Sequence, residues 1–133
     1  MVQGLSHITF ITSDLDRMEL LITRVLDGTK IYDSGNDTFS LSRERFFDVA
    51  GIWIATMEGA PLPERSYNHV AFQVADSTLD DKQALIQKLG FELRDPRPRV
   101  SGEGRSVYFY DHDNHLFELH SGTLEARLKR YQE

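Results

Sequence analysis

The sequence predicts an α+β fold of two paired β-α-β-β-β modules, and three observations carry that expectation. Two similar runs, Leu5-Ser6-His7-Ile8-Thr9-Phe10 and Tyr67-Asn68-His69-Val70-Ala71-Phe72, each place a histidine at the head of a β-type stretch. An acid-capped helical pattern follows each run and ends at a glycine, Gly28 in the first half and Gly90 in the second. Between the halves, Ala60-Pro61-Leu62-Pro63-Glu64-Arg65 has the composition of a connector. The 133 residues are one domain's length, enough for a core built from two small repeats. The expected division is a first module over about residues 4–59, a second over 66–121 and a C-terminal helix over 122–133.

Taken in order, Leu5 to Thr12 reads as a strand with His7, Thr9 and Ile11 on one face and Ile8 and Phe10 on the other. Ser13, followed three residues later by Asp16, resembles a capping signal, and Leu15, Met18, Leu21, Ile22, Val25 and Leu26 recur at helical spacing. Three β-type runs are expected next: Lys30 to Asp33, Thr38 to Leu41, and a Phe46-to-Met57 hairpin turning near Ala50-Gly51. In the second half His69 to Val74 is a strand, and Ser77 with Asp80 suggests the cap of a helix carrying Lys82, Leu85, Ile86 and Leu89. Phe91 to Arg94, Ser106 to Tyr110 and Leu116 to His120 complete the module, with the basic loop 94–99 interrupting it. Thr123 is placed to cap a last short helix.

A hydrophobic fraction of 40% supports a folded core, and a net charge of −6 argues against wholesale binding to phosphate backbones, so nucleic acid is not expected as a partner. Cysteine is absent, which removes disulfides, thiolate metal sites and a cysteine nucleophile, and leaves nitrogen and oxygen as metal ligands. No apolar run approaches the roughly 20 residues that span a bilayer, and the N-terminus lacks the layout of an export signal. A soluble, cytoplasmic protein without a membrane partner is expected.

His7, His69 and Glu118 form the chemical constellation. Each lies in a predicted strand, and a local twofold relating the repeats puts the two histidines in equivalent places. Two imidazoles and one carboxylate suit a divalent first-row metal and leave coordination positions open. Taken singly, each has an ordinary structural role available, and His112, His115 and His120 add to the histidine count; the matched placement singles out the three. Aligning the last hairpins of the two halves sets Glu118 against Ile54 and Tyr108 against Glu44. A carboxylate near a metal but outside its coordination sphere is what a general base acting on water requires, although Glu44 between Arg43 and Arg45 also has the look of a solvated run. Arg94, Arg97, Arg99, Arg105, Arg127, Lys129 and Arg130 concentrate positive charge around Gly102-Glu103-Gly104, with the Ser106 and Tyr108 hydroxyls on the following strand. That arrangement fits a small phosphonate-like anion.

The segments Gly4 to Thr9, Tyr67 to Phe72, Gly102 to Asp111, Phe117 to His120 and the tail Gly122 to Tyr131 together resemble the vicinal oxygen chelate superfamily. Within it, they are similar to the fosfomycin-resistance proteins, most of all the metal-dependent epoxide hydrolases of the FosX type. The resemblance implies a homodimer with module exchange and shared active sites, so that His7 of one subunit meets His69 and Glu118 of the other around Mn(II). It also implies that Glu44 is the general base, that Thr9, Tyr67, Ser106, Tyr108 and Arg127 contact the substrate, and that Trp53 lines the cavity. The loop lysine of the thiol-transferring relatives aligns with Pro98, so Arg97 or Arg99 is the expected substitute. The function implied is addition of water to fosfomycin, giving a vicinal diol. Two other readings are metal-dependent opening of fosfomycin by a thiol (glutathione, bacillithiol or cysteine) and sequestration of the drug without turnover.

Overall fold

A computed structural model of the chain describes residues 1–95 and 101–133. The chain divides into two compact units, Met1–Pro63 and Glu64–Glu133.

In the first unit, β1 (His7–Thr12) leads into α1 (Leu15–Leu20), which runs on through a π-type turn over Leu21–Val25, and β2 (Thr29–Asp33), β3 (Glu44–Val49) and β4 (Ile52–Glu58) follow. The sheet order is β1-β4-β3-β2, with β1 parallel to β4 and the other pairs antiparallel. The helix cap is Asp14, whose carboxylate accepts from the Arg17 N–H at 3.1 Å. Ser13, expected there from the sequence, instead accepts from the Arg17 side chain. Leu15, Met18, Leu21, Ile22 and Val25 turn inward with Phe47, Val49 and Ile54 to form the core. Burying each such side chain stabilises the unit by about 1.5–3 kcal/mol. Arg45 ties α1 to the sheet through ion pairs with Asp16, Glu19 and Asp33 at 2.9, 3.0 and 3.2 Å. The run Thr38 to Leu41 is not a strand: Phe39 and Leu41 stand 75% and 88% exposed in a bend region, and the missing strand is supplied by the β3–β4 hairpin counting as two.

In the second unit, β5 (His69–Gln73) is followed by a 3₁₀ turn over Asp76–Thr78, α2 (Leu79–Lys88), β6 (Glu92–Leu93), β7 (Ser106–Tyr110), β8 (Leu116–His120) and α3 (Leu124–Tyr131). The order β5-β8-β7-β6 repeats the first sheet strand for strand. Leu79 and Ile86 of α2 and Phe72, Phe109, Phe117 and Leu119 of the sheet are buried together. The 3₁₀ turn displaces the expected Ser77 cap, and Thr78 at the helix start makes no side-chain capping bond. Thr123 does cap α3, accepting from the Ala126 N–H at 3.1 Å.

The shared topology allows the two sheets to be compared residue by residue. His7 pairs with Trp53 and Thr9 with Ala55 in the first, and His69 pairs with Leu116 and Ala71 with Glu118 in the second. Ala55 is therefore the counterpart of Glu118, and Ile54, predicted for that place, is the counterpart of Phe117. Ile54 and Phe117 are both fully buried on the helix-covered face, so the one-residue slip had turned the alignment over. Glu44 likewise matches Ser106 and not Tyr108, whose counterpart is Phe46.

Candidate functional site

In the second unit, period-2 alternation puts His69, Glu118, His120, Ser106 and Tyr108 on one face of the sheet. His69 Nδ1 lies 2.7 Å from the Tyr67 carbonyl oxygen, a bond that places the proton on Nδ1 and leaves Nε2 to face Glu118 Oε1 at 2.9 Å. Two electron-pair donors at that distance are bridged by a proton or by a metal ion. Ligand atoms about 2.0–2.2 Å from a metal and at right angles to each other stand roughly 3 Å apart, so this pair fits two neighbouring positions on one ion. The other carboxylate oxygen of Glu118 accepts from Ser106 Oγ at 2.6 Å, and His120 Nδ1 lies 2.7 Å from the same hydroxyl. The chain His120 Nδ1–H to Ser106 Oγ–H to Glu118 holds the carboxylate in one orientation while it is only 6% exposed.

Tyr108 stands beside this pair, and its hydroxyl accepts from the Tyr67 hydroxyl at 3.2 Å. Burial first, then the Tyr67 hydrogen bond and the charge of Glu118, push the Tyr108 phenol well above its ordinary range. These surroundings favour the neutral phenol.

In the first unit, His7 is exposed, with its ring 4.2 Å from that of Trp53 and its Nδ1 2.9 Å from Ser6 Oγ. Phe46 meets Trp53 edge-on at 5.2 Å, and Tyr32 follows at 5.0 Å, an aromatic row crossing the sheet from the histidine. Thr9 is on the same face as His7 and is exposed. Glu44 opens β3 on that face too, opposite Met57, and is 8% exposed. Its backbone N–H donates to Ser34 Oγ at 2.9 Å, but among the described residues nothing donates to its carboxylate. The flanking cations are occupied elsewhere: Arg43 pairs with Glu58, and Arg45 with the acids named above. Strand alternation thus turns Glu44 away from the charged run in which it stands.

Of the predicted contact residues, Tyr67, Ser106 and Tyr108 gather around His69 and Glu118, while Thr9 and Trp53 accompany His7. Arg127 faces Glu103, with Nε 3.6 Å from Oε1, and Arg130 lies 3.8 Å from the other oxygen. Arg105 is bound to Asp76 and Asp80, both at 3.1 Å, which removes it from the expected anion cluster. Arg97 and Arg99 lie outside the described residues. His120 was not assigned from sequence, although its strand-face match to Glu118 was legible.

Asp111, Asp113 and His115 bring three donor atoms within 4.8 Å of one another. Asp111 is already consumed: Oδ1 accepts from the Asp113 and His115 N–H groups at 2.9 and 2.8 Å, and Oδ2 lies 2.7 Å from His115 Nδ1. With Asn114 at φ 69°, these contacts describe the closed polar turn between β7 and β8.

Two sheets of identical β-α-β-β-β topology, with histidine and carboxylate on the uncovered strand faces, define a vicinal oxygen chelate fold. The chain belongs to the Glyoxalase/Bleomycin resistance protein/Dioxygenase superfamily, whose family model matches residues 4–119. It is 57% identical over 131 residues to the fosfomycin resistance protein FosX of Listeria innocua, with 98% of each chain covered. Identity to the FosX protein of Mesorhizobium japonicum is 55% over 130 residues, covering 98% of this chain and 94% of that one. Among solved structures, a variant of Listeria monocytogenes FosX complexed with Mn(II) and 1S,2S-dihydroxypropylphosphonic acid superposes with a TM-score of 0.89. That match is 52% identical and covers 98% of this chain and 99% of the other.

Proposed function

We propose that this chain is a Mn(II)-dependent epoxide hydrolase that adds water to fosfomycin, gives the vicinal diol and so confers fosfomycin resistance. What carries the reading is the 52% identical relative holding both Mn(II) and a dihydroxypropylphosphonic acid, the chemical product of that hydration. The donor set fits the metal: His69 presents a free Nε2 and Glu118 an oriented oxygen 2.9 Å away. His7 is the third ligand, and the protein works in the cytoplasm as a module-exchanged homodimer in which His7 comes from one subunit and the other two ligands from its partner.

When bound, the metal supplies Lewis acidity toward the epoxide oxygen. Glu44, a buried carboxylate to which no described residue donates, takes a proton from water. The water oxygen attacks the epoxide carbon nearest phosphorus as the bond from that carbon to the ring oxygen breaks. The released oxygen then takes a proton, leaving two hydroxyl groups. Tyr108 donates toward the bound anion, Ser106, whose proton goes to Glu118, lies beside it, and Tyr67, Thr9, Trp53 and Arg127 complete the enclosure. Arg97 or Arg99 is the further cation proposed for the phosphonate.

Phosphorus NMR of fosfomycin with protein and Mn(II) in thiol-free buffer tests the reaction. The diol signal is expected to grow beyond one equivalent of enzyme and to stop when a chelator is added. Fosfomycin left intact until a thiol is supplied means transferase chemistry, and stoichiometric binding without turnover means sequestration.

A further inference from the structure

The last ladder pair of β2 with β3 is Asp33 with Arg45, and the chain leaves the sheet at Ser34. The Asp33 carboxylate accepts from the Gly35 N–H at 2.8 Å and the Ser34 carbonyl from the Asp37 N–H at 3.0 Å, closing a turn in which Gly35 has φ 63°. A carbonyl committed to that turn is lost to the ladder, where it would have accepted the N–H of the residue opposite. That residue is Glu44. The Ser34 hydroxyl takes the carbonyl's place: it accepts from the Glu44 N–H at 2.9 Å, while the Ser34 N–H donates to the Glu44 carbonyl at 3.0 Å. Both backbone groups of Glu44 are thus bonded to one buried serine. Toward β4, Glu44 faces Met57 in a wide pair of the antiparallel ladder, and the bond on that side is the next one along, from the Glu58 N–H to the Arg43 carbonyl at 3.0 Å.

We propose that Ser34 is the positioning residue of the general base, a role that rests on the reading of Glu44 given above: its hydroxyl fixes the first residue of β3, and through that backbone the place of the Glu44 carboxylate on the uncovered face. Among the described residues nothing donates to the carboxylate, so its position is set from the backbone side. The stretch 35–43 that delivers the chain to Glu44 contains no strand and is mostly exposed, so it supplies no comparable hold. Alanine at 34 leaves the Glu44 N–H without its acceptor at a buried site, and the start of β3 is then free to part from β2 to find water. Threonine keeps the oxygen.

Two readouts on the Mn(II)-loaded full chain test this. In fosfomycin hydration without thiol, Ser34→Ala is expected to lower kcat about 10- to 10²-fold with KM and Mn(II) affinity kept, and Ser34→Thr to recover most of the loss. Added to Glu44→Gln, Ser34→Ala is expected to cost nothing further, because the group it positions is already gone. In amide hydrogen exchange followed by NMR, the Glu44 N–H is expected to be protected in the parent and to exchange at least tenfold faster in Ser34→Ala, with the Phe47 and Ile54 amides of the core unchanged. Parental kcat in Ser34→Ala, an equal further loss in the Glu44→Gln background, or a Glu44 amide as well protected in Ser34→Ala as in the parent each overturns the assignment. Should Ser34→Ala not fold, the parent decides: a Glu44 amide that exchanges like that of an exposed loop overturns it, and a protected one that Ser34→Thr preserves supports it. A parent that leaves fosfomycin intact while its Glu44 amide is protected only with Ser34 in place supports the hold on Glu44 and refutes the hydrolase reading instead.

Discussion

Glu44, the proposed general base, is 8% exposed, and among the described residues nothing donates to its carboxylate, which leaves its oxygens to bind water. Glu44→Gln removes the charge while keeping the volume. Hydration of fosfomycin is expected to fall about 10²- to 10⁴-fold, with Mn(II) binding unchanged and thermal stability equal or higher. A variant that hydrates at the parental rate removes Glu44 from the mechanism, and one that loses both activity and melting temperature marks it as structural. Glu118 is the opposite case: its second oxygen accepts from Ser106, which holds the carboxylate in one orientation.

At the scale of elements, the β3–β4 hairpin carries a local conflict. Val49 pairs with Ile52, leaving a two-residue loop in which Ala50 and Gly51 have φ of 51° and 85°. Both central residues of this turn type need positive φ, which Asn tolerates and Ala does not. Ala50→Asn is expected to stabilise the protein by about 1 kcal/mol, read as a rise in melting temperature with activity kept; a lower melting temperature refutes the strain. The hairpin itself was legible because Gly51 punctuates two β-type runs, as were the strand faces of His7, His69 and Glu118, which follow from period 2 alone. Thr38 to Leu41 misled because Phe39 and Leu41 carry β propensity, while no strand pairs with them among the described residues. The alignment of Glu118 with Ile54 misled because helix-facing and site-facing residues of β4 are both apolar, Ile54 and Ala55 alike, so hydropathy could not fix the register.

At the scale of the whole molecule, the two modules are alike in topology and unlike in chemistry. The first offers His7, Trp53 and Glu44 on its uncovered face; the second offers His69, Glu118, Ser106 and Tyr108. Neither face alone carries two histidines of the matched pair, so the proposed metal site needs both, and in an exchanged dimer it draws them from different chains. That arrangement has a consequence that a site closed within one chain lacks. In a dimer of His7→Ala with His69→Ala, one site loses both histidines and the other keeps both, because the intact His7 and the intact His69 lie on opposite subunits. Random reassortment makes half of the dimers mixed, each with one working site, so mixing the two inactive variants is expected to restore about one quarter of parental fosfomycin hydration. The recovery should follow subunit exchange in time and be absent from either variant alone. If each site were formed within a single chain, every site in the mixture would lack one histidine, and activity would stay at the level of the separate variants.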